Sequence, residues 1–275
     1  MKFDVVALGE LLIDFTENGV SGQGNPLFEA NPGGAPCNVL AMLTKLGKRC
    51  AFIGKVGNDM FGTQLRIAAG EAGICLDALA VDAQARTTLA FVKTLPGGDR
   101  DFSFYRNPGA DMMLAPEDIP EDMVKGARVV HFGTLSLTQE PARSATRKAV
   151  ALAREAGAVI SFDPNLRPPL WGSLEEAREQ IAWGLAQCDV LKIADNELEF
   201  MTGETGFDTG AGDTFCACVL DFVLEHGLDG LSKDDLDRML RFANAAAYLV
   251  TTKKGAIRSM PEPGEVEAVL KQREK

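Results

Sequence analysis

Five residues, Thr209-Gly210-Ala211-Gly212-Asp213, run straight into the apolar stretch Thr214-Phe215-Cys216-Ala217-Cys218-Val219-Leu220. Small residues, then one carboxylate, then a helix-like pattern leave backbone N–H groups open at a helix N-terminus, where the macrodipole favours anions. A carboxylate held there can take the proton from a hydroxyl that attacks a phosphate. The chemistry read from this stretch is phosphoryl transfer, with Asp213 as base and the turn Gly210–Asp213 as anion cradle. A plain helix cap fits the same five residues, because short glycine motifs often match by chance.

Other chemistries find less support. There is no GxxxxGK[ST] and no strand-linked GxGxxG, so neither a Walker-type nor a dinucleotide site is indicated. No GxSxG elbow occurs, and only His131 and His226 are present, which disfavours a Ser-His-Asp triad or a Cys/His zinc site. The six cysteines form no CxxC pair and lie mostly in apolar contexts, as expected of buried thiols in a reducing compartment. A net charge of −11 without a Lys/Arg cluster argues against a nucleic-acid surface. No apolar span is long enough for a membrane, and Met1-Lys2-Phe3-Asp4-Val5-Val6 enters a strand pattern directly, so a cytoplasmic location is expected.

The elements that must position Asp213 alternate. Residues 3–9 read as a buried strand ending at Gly9-Glu10, continued by the extended Leu11–Phe15. The polar stretch Glu17–Asn31 reads as a loop or exposed hairpin. Pro32-Gly33-Gly34-Ala35-Pro36 opens a helix that Gly47 stops, residues 51–54 form a short strand, and Asp59 caps a helix reaching Gly70 or Gly73. A hairpin over 87–106 turns at Pro96–Asp99. Beyond it come strand 127–133, helix 139–156, strand 158–163, helix 173–187 and strand 189–194, which imply βαβ units and a mostly parallel sheet. Ligands of such sheets bind beyond the strand C-termini. The polar residues there are Asp14, the segment Asp163-Pro164-Asn165-Leu166-Arg167, and Asn196-Glu197-Leu198-Glu199. With Arg106, Arg167 and Lys192 as scattered cations, this inventory suits sugar recognition and phosphoryl transfer better than acyl or redox chemistry.

At this point the motifs resemble a known family. Gly33-Gly34-Ala35-Pro36-Cys37-Asn38 and Asp208-Thr209-Gly210-Ala211-Gly212-Asp213-Thr214-Phe215 are similar to the two signatures of the PfkB (ribokinase-like) sugar kinases. Asn196–Glu199 resembles the family's NxxE element, and Phe242–Ala247 and Thr252–Ala256 resemble its C-terminal nucleotide-side segment. Gly9–Phe15 and Arg106-Asn107-Pro108-Gly109-Ala110-Asp111 look most like fructokinases. The resemblance implies a ribokinase-like three-layer α/β/α domain over residues 1–275 with a mostly parallel sheet. It also implies a small β-sheet lid from about residues 11–32 and 86–107.

What the resemblance implies for the site is specific. Asp14, Gly33, Gly34 and Asn38 match sugar contacts, a carboxylate and an amide together serving vicinal hydroxyls. Arg106, at the end of the lid hairpin, is expected to reach the sugar; Asp163 and Arg167 are expected either to touch it or to pair with each other. Asp213 matches the base, and the backbone of Ala211, Gly212 and Asp213 the anion hole. Asn196 and Glu199 match positions that organise Mg2+ and its waters, Lys192 a phosphate-side position, and Asn244 and Gly255 the nucleotide side. The implied reaction is ATP-dependent phosphorylation of fructose, with a 2-keto-3-deoxygluconate kinase as a rival within the family and a monovalent cation such as K+ as a further ligand. No nucleic-acid or membrane partner is expected. The apolar alternation at Leu89, Phe91, Phe102 and Phe104 fits either a homodimer through the lid or packing within it.

One departure stands out. The family carries a few dozen residues, with strands and a Thr-Gly-rich nucleotide loop, between the NxxE helix and the glycine turn. Here Met201–Phe207 runs directly into Asp208-Thr209-Gly210. The join falls between Asp208 and Thr209, so Asp208 is not assigned as a cation ligand. A fold that loses internal strands exposes unpaired sheet edges, so the natural chain is expected to carry the segment. If the gap is genuine, a non-catalytic sugar-binding protein becomes the rival reading.

Overall fold

A computed structural model describes residues 2–94, 100–204, 212–253 and 255–273. Its central strand is β1 (Val5–Leu8), whose four apolar residues are fully buried. Val5 and Ala7 join one apolar cluster while Val6 and Leu8 join another, as in a strand covered by helices on both faces. The chain then forms the hairpin β2 (Leu12–Val20) and β3 (Pro26–Gly33), and returns to the sheet domain as α1 (Ala35–Lys45). Next come β4 (Cys50–Gly57), α2 (Met60–Glu71) and β5 (Cys75–Asp82), then a second hairpin, β6 (Leu89–Thr94) and β7 (Arg100–Tyr105). A short α3 (Glu121–Lys125) precedes β8 (Val129–Gly133), α4 (Ala142–Glu155), β9 (Val159–Asp163), α5 (Leu174–Gln187) and β10 (Val190–Leu191). The chain continues through α6 (Asp195–Thr202), α7 (Asp213–His226), α8 (Lys233–Thr251) and α9 (Pro263–Arg273).

Sheet order is β10-β9-β8-β1-β4-β5, with every pair parallel. Side chains from α1, α2, α7, α8 and α9 fill the cluster on one face, and those from α3, α4 and α5 the other. These are the three layers expected. From β1 the chain steps outward to β4 and β5, then crosses back to β8, β9 and β10 on the other side. The order therefore reverses beside β1, the place where open α/β sheets bind ligands. A separate sheet, β3-β2-β6-β7, forms the lid, with β2 and β6 parallel inside it.

Of the two readings of the segment after Glu17, the hairpin holds, its register shifting between Glu17 and Val20. Two local expectations change. Strand β5 was not expected; it is a half-exposed edge strand whose apolar run, Ala78–Val81, is short and broken off by Asp77 and Asp82. Strand 189–194 shrinks to Val190–Leu191, since the chain turns there to send Lys192 toward β9 and Ala194 into the start of α6. All six cysteines are free, and no helix among the described residues is long and apolar enough to cross a membrane.

Candidate active site

Two helix N-termini converge on the reversal point. Gly34, at φ +126°, precedes α1, and a Cβ there would lie 2.4 Å from the Glu10 carbonyl oxygen; only glycine fits. The Ala35 N–H then donates to Glu10 Oε1 at 3.0 Å, so a buried side chain from the end of β1 caps α1. One turn later Asn38 Nδ2 donates to Asp213 Oδ2 at 2.9 Å, while Asn38 Oδ1 is buried with no protein partner. Asp213 heads α7 after Gly212, which offers no side-chain cap. The first-turn N–H groups of α7 are thus left for an anion. Gly210 and Ala211 lie outside the described residues.

Asp14, on β2, lies beside Gly33, the residue before Gly34. A Cβ on Gly33 would come 2.5 Å from Asp14 Oδ2, so the glycine leaves room for that carboxylate. The same position lies 3.8 Å from the Ala256 Cβ. Gly255, matched to the nucleotide side, abuts Asn31 on lid strand β3 and Ser259.

Asp163 ends β9 and is 1% exposed. Its Oδ1 accepts from Lys192 Nζ and from the Asn165 N–H, each at 3.0 Å, and its Oδ2 is buried without a partner. Burial pushes the Asp163 carboxyl up to about 7, with Asp213 and Glu197 adding to the rise and Lys192 opposing it. Burial alone would lower Lys192, but Asp163, Glu197 and Asp213 outweigh it and hold the ammonium above its usual range. Glu197, to which sequence reasoning gave no role, accepts from the Leu166 N–H at 2.7 Å and the Ala194 N–H at 2.8 Å. Its position in the first turn of α6 was the available signal, since a glutamate there can reach back to the cap.

One expected alternative is excluded. Asp163 and Arg167 do not pair: Asn165, at φ +40°, turns the chain, and the Arg167 guanidinium stacks 5.2 Å from the centroid of Phe102 on β7. Arg106, expected to reach the sugar, is buried among polar partners. It is 7% exposed, donates from Nε to Asp111 at 2.8 Å, and also donates to Thr138 Oγ1 and the Leu135 carbonyl. Asn196 and Glu199 are exposed, one turn apart on α6, a spacing that faces both the same way. No cluster of three His, Cys, Asp or Glu suited to a metal occurs among the described residues. Asn244 is exposed on α8.

The geometry can be set beside known proteins. The profile of the pfkB family carbohydrate kinases matches residues 2–209 and 208–263. The chain is 39% identical to probable fructokinase-4 of Arabidopsis thaliana, over 97% of this chain and 96% of that one. It is also 39% identical to fructokinase-2 of Solanum habrochaites, with the same coverage. Fructokinase from Xylella fastidiosa superposes with a TM-score of 0.85 at 28% identity, covering 98% of this chain and 99% of that one. Fructokinase from Vibrio cholerae O395, in its fructose-, ADP- and calcium-bound form, gives 0.84 at 28% identity, covering 97% and 98%. A profile that spans both Asn38 and Asp213, joined here by one hydrogen bond, leaves a single assignment: the chain belongs to the pfkB family of carbohydrate kinases.

Proposed function

We propose that this chain is an ATP-dependent fructokinase that transfers the γ-phosphoryl group of ATP to the primary hydroxyl at C6 of fructose. The observation that carries the reading is the Asn38–Asp213 hydrogen bond, which puts the sugar-side amide and the candidate base in one place. In this reading Asp14 and Asn38 orient the sugar, with the backbone of Gly33 and Gly34 beside it, and Asp213 takes the proton from the attacking hydroxyl. The N-terminus of α7, with Gly210, Ala211 and Gly212 before it in sequence, receives charge developing on the transferred group; one lost donor of this kind costs on the order of 3 kcal/mol of barrier. Asp163 Oδ2 and Asn38 Oδ1, buried without protein partners, fit a ligand rich in hydroxyl donors. Lys192 balances the carboxylates around it. Arg167 contributes at the lid boundary through Phe102.

Asn196 and Glu199 fit magnesium, which keeps several waters and takes one or two protein ligands. Bound there, Mg2+ would neutralise phosphate charge, and a monovalent cation such as K+ would do so at longer range. Asn244 and Gly255 are assigned to the nucleotide side. The 2-keto-3-deoxygluconate rival needs arginines facing a carboxylate, whereas the bonds of Arg106 go to Asp111, Thr138 and Leu135. The aromatic face of the lid, where Phe91 packs edge-on to Phe28 and Tyr105, leaves those two side chains 43% and 66% exposed and is the surface through which a homodimer would form.

ADP release measured with fructose, ribose and 2-keto-3-deoxygluconate tests the proposal: fructose should give the highest kcat/KM. Turnover of none of the three by the intact chain would overturn it. Asp213→Asn should keep the fold and lose nearly all turnover.

One observation favours a second reading, a sugar-binding protein without phosphoryl transfer. The family profile matches in two pieces that meet at 208–209. Alignment with the Arabidopsis thaliana relative spans 314 positions against 275 residues here, so at least 39 positions find no counterpart in this chain. We place the missing segment at the Asp208–Thr209 join. An intact mass of 29.4 kDa together with fructose binding and no ATP binding by calorimetry would select the second reading.

A further inference from the structure

Beneath the second lid hairpin lies a buried polar cluster outside the site just described. Asp111, 4% exposed, accepts a hydrogen bond from Arg106 Nε at 2.8 Å and forms an ion pair with a terminal guanidinium nitrogen at 2.7 Å. Its other oxygen accepts the Thr88 hydroxyl at 2.5 Å, and Thr88 is 1% exposed. The Thr88 carbonyl in turn accepts the Ile13 N–H at 3.2 Å. Ile13 precedes Asp14, which sits opposite Ala90 in the β2–β6 ladder. At the far end, Arg106 is anchored to Thr138 Oγ1 at 3.0 Å and to the Leu135 carbonyl at 2.8 Å, just beyond β8. Packing around the chain is tight: a Cβ on Gly109 would fall 1.9 Å from Thr88 Oγ1 and 2.6 Å from Asp111 Oδ1.

The connection thus runs from the sheet domain through Arg106, Asp111 and Thr88 to the peptide beside Asp14. We propose that Arg106, Asp111 and Thr88 are positioning residues that set the Asp14 carboxylate in the sugar pocket through strand β2, without touching the sugar themselves. Asp14 has its place only because Gly33 lacks a Cβ, so β2 has little freedom to shift before the carboxylate collides or withdraws. Misplacement by about 1 Å far from the chemistry can cost a hundredfold in rate. The inference rests on the sugar-pocket reading of Asp14, not on phosphoryl transfer.

Arg106 and Asp111 are poor first targets, because removing either leaves a buried charge without its partner. Thr88→Val keeps the shape and deletes only the hydroxyl. Sugar binding is measured by calorimetry without nucleotide, using whichever of fructose, ribose and 2-keto-3-deoxygluconate the wild type binds. Thr88→Val is expected to weaken sugar binding roughly fivefold to tenfold, as for one hydrogen bond, with ATP affinity unchanged. In an Asp14→Ala background the same substitution should have no further effect on sugar binding, because its action passes through Asp14. Wild-type sugar affinity in Thr88→Val, or additive losses in the double variant, would overturn the proposal. A failed kinase reading looks different: sugar binding persists and responds to Thr88→Val, while no ADP is formed. A wild type that binds none of the three sugars removes the pocket and the proposal together.

Discussion

Asn38 and Asp213, 175 residues apart in the chain, are joined by a single hydrogen bond of 2.9 Å. The bond spans the gap between two helix N-termini that a dry interface holds at fixed separation: Leu40 and Leu43 of α1 belong to the same apolar cluster as Cys216, Ala217 and Leu220 of α7. A neutral amide donating to a carboxylate fixes the orientation of the carboxylate without neutralising it. The amide oxygen is left buried and unpartnered, which is a strained state for a protein alone and a suitable one for a protein that binds a hydroxyl.

Asn38→Ala removes both halves of that arrangement. A hydrogen bond to a charged group contributes about 1.5–3 kcal/mol, so kcat/KM for the sugar should fall by about 10- to 100-fold. Steady-state rates at varied sugar and fixed ATP report this, with KM for ATP unchanged. The melting temperature should move little, because the buried, unpartnered amide oxygen is removed together with the bond. A variant with wild-type kcat/KM would separate Asn38 from the reacting centre.

Glu10 supplies a pH-dependent prediction. Burial pushes its carboxyl from 4.5 up to about 8, the charge of Asp111 adding to the rise and Arg106 opposing it. Between those two values the unfolded chain has released the proton while the folded chain still holds it. Proton release therefore favours unfolding, and Glu10 makes the fold progressively less stable as pH rises from 4.5 toward 8. Glu10→Gln keeps an acceptor for the Ala35 N–H and cannot ionise. Urea denaturation should find the variant similar to wild type at about pH 5 and more stable by a few kcal/mol at about pH 8. Equal pH slopes for the two proteins would show that Glu10 is ionised in the fold.

How much of this was legible in the sequence depends on the kind of contact. Asp213 was, because small residues before a lone carboxylate and an apolar run mark a helix start wherever they occur. Asp163 was legible as a strand-end polar; Asp14, read the same way, lies inside β2, because the strand continues to Val20. The partner of Asp163 was not: Arg167 is near it in sequence, but Lys192 is near it in space because β10 lies beside β9, and strand order is a tertiary outcome. The partners of Arg106 were not legible for the same reason. Its place at the end of a hairpin suggested a cation within reach of the sugar, and only the fold reveals Asp111, Thr138 and the Leu135 carbonyl enclosing it.

The Lys192–Asp163 pair gives the last prediction. Lys192 has Asp163, Glu197 and Asp213 for neighbours, and its side chain is 11% exposed. Lys192→Met leaves Asp163 buried with no countercharge, a change that costs about 3–5 kcal/mol when the carboxylate stays ionised. Asp163 can escape by taking a proton, its carboxyl being already raised to about 7 with the lysine present. The loss should therefore be largest at about pH 8 and smaller at about pH 6, since a raised carboxylate makes stability fall as pH rises. Adding Asp163→Asn removes the buried charge outright. Urea denaturation of the double variant should show it more stable than Lys192→Met alone at the higher pH. Losses that add, with the double variant the least stable of the set, would mean that Lys192 stabilises the fold through Glu197 or Asp213 and not through Asp163.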